Sequence, residues 1–116
     1  MRQRRDVEAQ YNLGNMYYRG KVISEACIEA LKWYQKSANH GFAKAHVISG
    51  VMYDNGKGIP ESDVKAYSWW SVAKAQGEKQ TTSNLDSLKN EMTKEQIAKA
   101  QALAAECWES EFHDCD

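Results

Sequence analysis

Two stretches of this chain repeat each other at a spacing of 36 residues, and that spacing limits the fold more than any other feature. Laid over one another without a gap, residues 9–41 and 45–77 agree at 11 of 33 positions. The shared residues are Ala9/Ala45, Gly14/Gly50, Met16/Met52, Tyr17/Tyr53, Gly20/Gly56, Lys21/Lys57, Ile23/Ile59, Glu25/Glu61, Ala30/Ala66, Trp33/Trp69 and Gly41/Gly77. Unrelated segments agree at about two such positions, given ordinary residue frequencies. A period in the thirties belongs to helix–turn–helix units that stack and share a core with their neighbours.

The pattern inside each unit agrees. Ala9, Leu13, Met16 and Tyr17 fall at i, i+4, i+7 and i+8, one face of a helix, and Gly20 stops it. In the next helix Ile28, Leu31, Ala38 and the pair Trp33–Tyr34 form the buried side, and Gly41 ends it. The second unit repeats this with Tyr53 and Gly56, an N-cap at Ser62 or Asp63, then Val64, Tyr67, Trp69 and Trp70, and Gly77. Gly14 and Gly50 lie inside helices, where Gly costs about 1 kcal/mol relative to Ala. Their missing Cβ suits a partner helix or an aromatic ring lying against the backbone. Trp33 and Trp69 are expected in the core, with Trp70 partly exposed.

After the repeats, Thr93 and Gln96 form a capping-box pattern, with Met92 and Ile97 placed as a hydrophobic staple. Ile97, Ala100, Ala104 and Trp108 carry an apolar stripe beside Leu103 and Cys107. A short helix over about 82–89 precedes them. The expected organisation is an all-α, α/α solenoid in one domain spanning 1–116. It has repeats at about 8–43 and 44–79, a C-terminal helical cap at about 81–109 and an acidic tail at 110–116, and Trp108 either closes the end of the stack, the favoured reading, or is exposed for a partner.

A formal net charge of −1 gives no argument for nucleic acid or an anionic membrane, and no apolar run approaches the ~20 residues of a membrane span. "MRQRRD" carries the charge of a signal sequence without the apolar stretch, so an export signal would lie upstream. No catalytic set emerges. His40, His46 and His113 lack a partner at i+3 or i+4, so no metal site is expected. "DNGKGIP" lacks the G-K-[ST] ending of a phosphate loop. Ser49, Ser68 and Ser71 have no triad context, and Glu109 and Glu111 sit in the acidic tail. No cofactor is implied.

"AQYNLGNMYYRG…EALKWYQKSANHGFAKA" resembles the Sel-1-like repeat, an α/α solenoid relative of the tetratricopeptide repeat. The first unit matches at Ala9, Tyr11, Leu13, Gly14, Tyr17, Gly20, Ala30, Trp33, Tyr34, Lys36, Ala38 and Gly41, and departs at Val22, where a second glycine is usual. The second keeps Gly56, Gly58, Ile59, Pro60, Ala66, Trp69 and Gly77, and has Ser49 in place of the helix leucine. The ending "NLDSLKNEMTKEQIAKAQALAAE" resembles that of bacterial members. The resemblance implies a non-enzymatic protein- or peptide-binding scaffold with a concave groove. By analogy with tetratricopeptide arrays, the groove would present Glu8, Tyr11, Asn15, Tyr18, Arg19, Lys44, Val47, Val51, Asp54 and Asn55. Some cysteine-rich relatives are associated with β-lactam binding or hydrolysis, but S-x-x-K, K-T-G and a zinc ligand set are missing here.

Cys27 reads as a small buried residue. A continuous helix would hold Cys107 and Cys115 about 12 Å apart, too far for a disulfide, whereas a chain reversing after Glu109 would bring them together. Their C-x7-C spacing resembles the bridges of cysteine-rich exported members. That implies a Cys107–Cys115 bond and a periplasmic or secreted location; free thiols would fit the cytoplasm. Arg2, Arg4 and Arg5 at one end face an acidic set at the other, Glu106, Glu109, Glu111, Asp114 and Asp116. With no device covering the first repeat, end-to-end self-association is a further expectation.

Overall fold

The computed structural model describes residues 4–19, 24–56, 61–112 and 115, without the side chains of 4–7, 17–19 and 24–26. These residues form six helices and no strand: α1 (Arg4–Arg19), α2 (Ser24–Ala38), α3 (Ala43–Asn55), α4 (Asp63–Ala75), α5 (Thr81–Lys89) and α6 (Lys94–Glu109). Helix α1 packs on α2 and α3 on α4; α2 joins the two hairpins through α3, and α4 also meets α5 and α6.

Local chemistry sets the helix ends. Gly41, Gly56 and Gly77 all have positive φ. At Gly56, φ is 67° and the amide donates to the Met52 carbonyl at 2.9 Å, closing the last turn of α3. The Gly20 stop lies outside the described residues. Ser62 is the N-cap of α4, its hydroxyl accepting from the Lys65 amide at 3.1 Å. Thr93 and Gln96 form the expected capping box at 2.9 and 3.1 Å.

The helix glycines are where each hairpin is locked. A Cβ on Gly14 would lie 2.6 Å from the Tyr34 ring, and one on Gly50 would lie 2.5 Å from Cδ1 of Trp70. Tyr34 and Trp70 occupy the same place in the 36-residue register. Each ring lies flush on the backbone of the facing helix and is then pinned by a hydrogen bond to that helix. The Tyr34 hydroxyl donates to Oδ1 of Asn15 at 2.6 Å, and Trp70 Nε1 donates to the Val47 carbonyl at 3.0 Å. Trp70 is therefore 4% exposed, correcting the expectation that it would be partly open.

Other sequence-based expectations also change. Trp69 is buried as expected, but Trp33 is only half-buried, with Lys36 Nζ 4.3 Å from its ring centre. At the place of Gln10, the second repeat has His46, whose ring lies 5.1 Å from Trp69. Ala9 is exposed, Met16 is 70% exposed and Ile28 is 50% exposed, although all three were placed on buried faces. The repeat explains this. Ala45 and Met52, the counterparts of Ala9 and Met16, are fully buried on α3, the helix that meets the first repeat, and Val64, the counterpart of Ile28, is partly buried. Leu13 is half-buried, and the side chain of Tyr17 lies outside the described residues. On α6 the buried line runs through Ala100 and Cys107, while Trp108 is 48% exposed and does not close the core.

Replacing Gly50 with Ala separates helix propensity from packing. Propensity alone would stabilise α3 by about 1 kcal/mol. The clash with Trp70 should outweigh it, for a net loss of about 1–3 kcal/mol, the usual cost of overpacking. Urea unfolding measures the difference, and a Gly50→Ala protein as stable as the parent would contradict the ring-on-backbone contact.

Candidate functional site

The residues expected to line a groove divide between α1 and α3. Glu8, Lys44 and Asn55 are exposed. Tyr11, Asn15, Val47, Val51 and Asp54 are half-buried, and several serve the packing as well. The Tyr11 ring lies 5.5 Å from Tyr34 and 5.2 Å, edge-on, from Phe42, which precedes α3. Asn15 accepts the Tyr34 hydroxyl, and Val47 supplies the carbonyl that holds Trp70. Burial raises the pKa of Asp54, with the charge of Asp63 adding to the effect. The side chains of Tyr18 and Arg19 lie outside the described residues. A second apolar feature lies between α4 and α6, where Val72, Ala75, Ala104 and the exposed Trp108 line an open hollow of ≈ 250 Å³.

The third assembly joins parts of the chain far apart in sequence. Helix α6 ends in a turn with Glu111 and Phe112 at φ 56° and 72°, and the Phe112 amide donates to the Cys107 carbonyl at 2.8 Å. That reversal returns Cys115 to Cys107, where the two are joined as a disulfide with Cα atoms 4.2 Å apart. Phe112 is laid against Gly41, 5.5 Å from the His46 ring and 5.8 Å, edge-on, from Trp108. His46 is completely buried, with Trp69 and Phe112 as ring neighbours. Neither of its ring nitrogens makes a hydrogen bond. Burial lowers its pKa from 6.5 to about 4, and the nearby Phe42 backbone pulls the other way. His46 and both cysteine sulfurs offer ligand atoms within 4.8 Å of one another.

His40, Glu109 and Glu111 are exposed, Ser49 and Ser68 are buried, and His113 lies outside the described residues. Cys27 is a buried free thiol.

Comparison with known proteins then decides the family. The family described as Sel1 repeat matches residues 7–42 and 43–78. The chain belongs to the Sel1 repeat family. Among solved structures it is similar to c5321, a protective antigen present in uropathogenic Escherichia coli strains and displaying an SLR fold. The TM-score is 0.81 at 26% identity, and the match covers 91% of this chain. The chain spans 24% of the length of that protein. Curated proteins give no significant match.

Sel1 repeats form α/α solenoids, architectures that serve as scaffolds for protein interaction. In this Sel1-repeat chain, no helix among the described residues is long and apolar enough to cross a membrane. Sequence reading missed the His46 assembly because its members lie on α3, α6 and the C-terminal turn. The one available signal is that His46 takes the register place of Gln10, putting a titratable ring on a core-facing position.

The buried His46 ring makes stability depend on pH. Its folded pKa lies below the unfolded value, so the unfolded chain takes up the proton first. The neutral ring's contribution is complete above about pH 6.5 and is lost as pH falls towards 4. Full loss amounts to about 3 kcal/mol. Asp54, raised rather than lowered, works in the opposite sense. Urea unfolding at pH 7.5 and 4.5 should show the loss in the parent protein and a much smaller one in His46→Gln. Equal losses in the two would remove His46 as the cause.

Proposed function

We propose that this Sel1-repeat chain is a non-catalytic module that binds a protein or peptide segment along the first helices of its repeats. The ligand lies on Glu8, Tyr11, Asn15, Tyr18 and Arg19 of α1 and on Lys44, Val47, Val51, Asp54 and Asn55 of α3. The observation that carries this reading is the use of one side of each of these helices to seat a rigid ring on a glycine. The backbone is held there without help from a ligand, and Glu8, Lys44 and Asn55 remain in solvent. Preorganisation of that kind lowers the ordering cost of binding. Both charge signs occur on the face, with amides and half-buried apolar groups between them, which suits a mixed peptide surface. Helices α5 and α6 act in this proposal as the closing cap of the array.

A photo-crosslinking residue at Val51 or Asn55 should capture the same partner band in cells, and one at Lys99 on α6 should not. Equal capture from all three positions would sink the assignment of the face. Turnover of nitrocefin by the purified chain would overturn the non-catalytic reading.

The exposed Met16 supports a second contact, end to end, because its counterpart Met52 is fully buried on α3, the helix that meets the first repeat. The apolar face supplies most of the energy, since exposed charge pairs contribute little each. Sedimentation analysis should show association that rises with concentration and weakens for Met16→Glu. A strict monomer at high concentration and low salt would rule it out.

A further inference from the structure

His46 has no task in the packing that an apolar ring could not perform. It is fully buried, both its ring nitrogens are unbonded among the described residues, and its ligand-bearing edge shares a space of 4.8 Å with the sulfurs of Cys107 and Cys115. A buried polar group without a partner is rare enough in a folded protein to need a reason. A neutral imidazole beside two sulfurs is a nitrogen–sulfur donor set of the kind that holds zinc. The three residues come from separate parts of the chain: His46 from α3, Cys107 from the last turn of α6, and Cys115 from beyond the turn. Phe112, in the left-handed region, holds that turn against His46.

We infer that His46, Cys107 and Cys115 form a redox-gated zinc site, closed while the disulfide stands and assembled when it is reduced. The electron balance is simple. A dithiol reductant delivers two electrons and two protons across the Sγ–Sγ bond, leaving two thiols, and is itself oxidised to its own disulfide. Zn²⁺ then binds both sulfurs as thiolates, releasing two protons, and takes the lone pair of one His46 ring nitrogen. Two Zn–S bonds of about 2.3 Å at a tetrahedral angle need sulfurs about 3.8 Å apart. Rotation of the cysteine side chains supplies that opening while the backbones stay where the disulfide held them. Cys107 is 1% exposed and Cys115 is 7% exposed, so Cys115 marks the side from which a water reaches the fourth position. Soft thiolates favour zinc over magnesium or calcium, and the lack of any carboxylate among the three ligands strengthens that preference. The site rests on the core and the C-terminal turn, independently of the proposed peptide-binding face.

The test uses the full chain with Cys27→Ala, so that the only thiols are the two in question. The protein is reduced with a phosphine in metal-free buffer and titrated with Co²⁺ and then Zn²⁺. Circular dichroism is recorded throughout. The expected result is one equivalent of Co²⁺ with a thiolate charge-transfer band and the ligand-field bands of a four-coordinate ion, displaced by one equivalent of Zn²⁺. The oxidised protein should bind neither. His46→Gln, which keeps both thiols, should weaken Zn²⁺ in chelator competition by more than about tenfold. If reduction loosens the helices, zinc should restore them in the parent and not in His46→Gln. No stoichiometric binding after reduction would overturn the site, as would unrestored helices or equal affinity in His46→Gln.

Discussion

An aromatic ring laid on bare backbone holds each hairpin of this protein together. Tyr34 rests on Gly14 and Trp70 on Gly50, at distances that admit no side chain at the glycine. The helices can approach this closely only because the Cβ is missing, and the buried area of a large ring offsets the propensity cost of glycine in a helix. Each ring also carries a polar atom that reaches a partner on the opposite helix, Asn15 in one repeat and the Val47 carbonyl in the other. The contact therefore sets the relative rotation of the helices as well as their separation. The rest of the core mixes fully buried small residues such as Ala30 and Ala66 with large ones such as Met52, Trp69 and Leu85.

The faces left over follow from that arrangement. With the inner sides of α1 and α3 committed to rings, their other sides carry a mixture of charges, amides and half-buried apolar groups. The first repeat exposes Met16 and Ile28 where the second buries or half-buries the same positions, so the two units are chemically alike but differ in what lies beside them. The energy of such an array is a sum of unit and interface terms, and an interface term counts only where a neighbour exists.

Much of this was legible in the sequence. The 36-residue register placed the hairpins and the glycine stops at Gly41, Gly56 and Gly77, and the Thr93–Gln96 pattern placed the capping box, because those signals are local and chemical. The use of Gly14 and Gly50 for close approach was also legible. Which ring fills the gap was less so: the matching Trp33/Trp69 pair drew attention, while the rings on the glycines are the unlike pair Tyr34 and Trp70. Burial in the first repeat was overestimated at Ala9, Met16 and Ile28, since periodicity shows which face a residue occupies and says nothing of what covers it. Of the two readings of Trp108 the exposed one holds, because the stripe on α6 is narrow and its buried centre runs through Ala100 and Cys107. His46 was out of reach for a different reason, as its neighbours converge only once α6 and the turn after it have folded back.

That folding back has a consequence for how the protein comes apart. Stacked repeats touch only adjacent units, so an array can fray from one end while the other stays intact. Here the turn after α6 reaches past the second hairpin to the junction with the first. Phe112 covers Gly41, and the amide nitrogen of Asn39 can be turned to face the Phe112 carbonyl at 3.0 Å. Gln76 crosses the same junction, donating to the Gly41 carbonyl at 2.7 Å. The end of the chain is thus a latch on the middle of it, and opening the C-terminal turn uncovers the seam between the repeats. An unzipping from the C-terminal end therefore has to break contacts on both sides of that seam at once, Phe112 and Gln76 against Gly41.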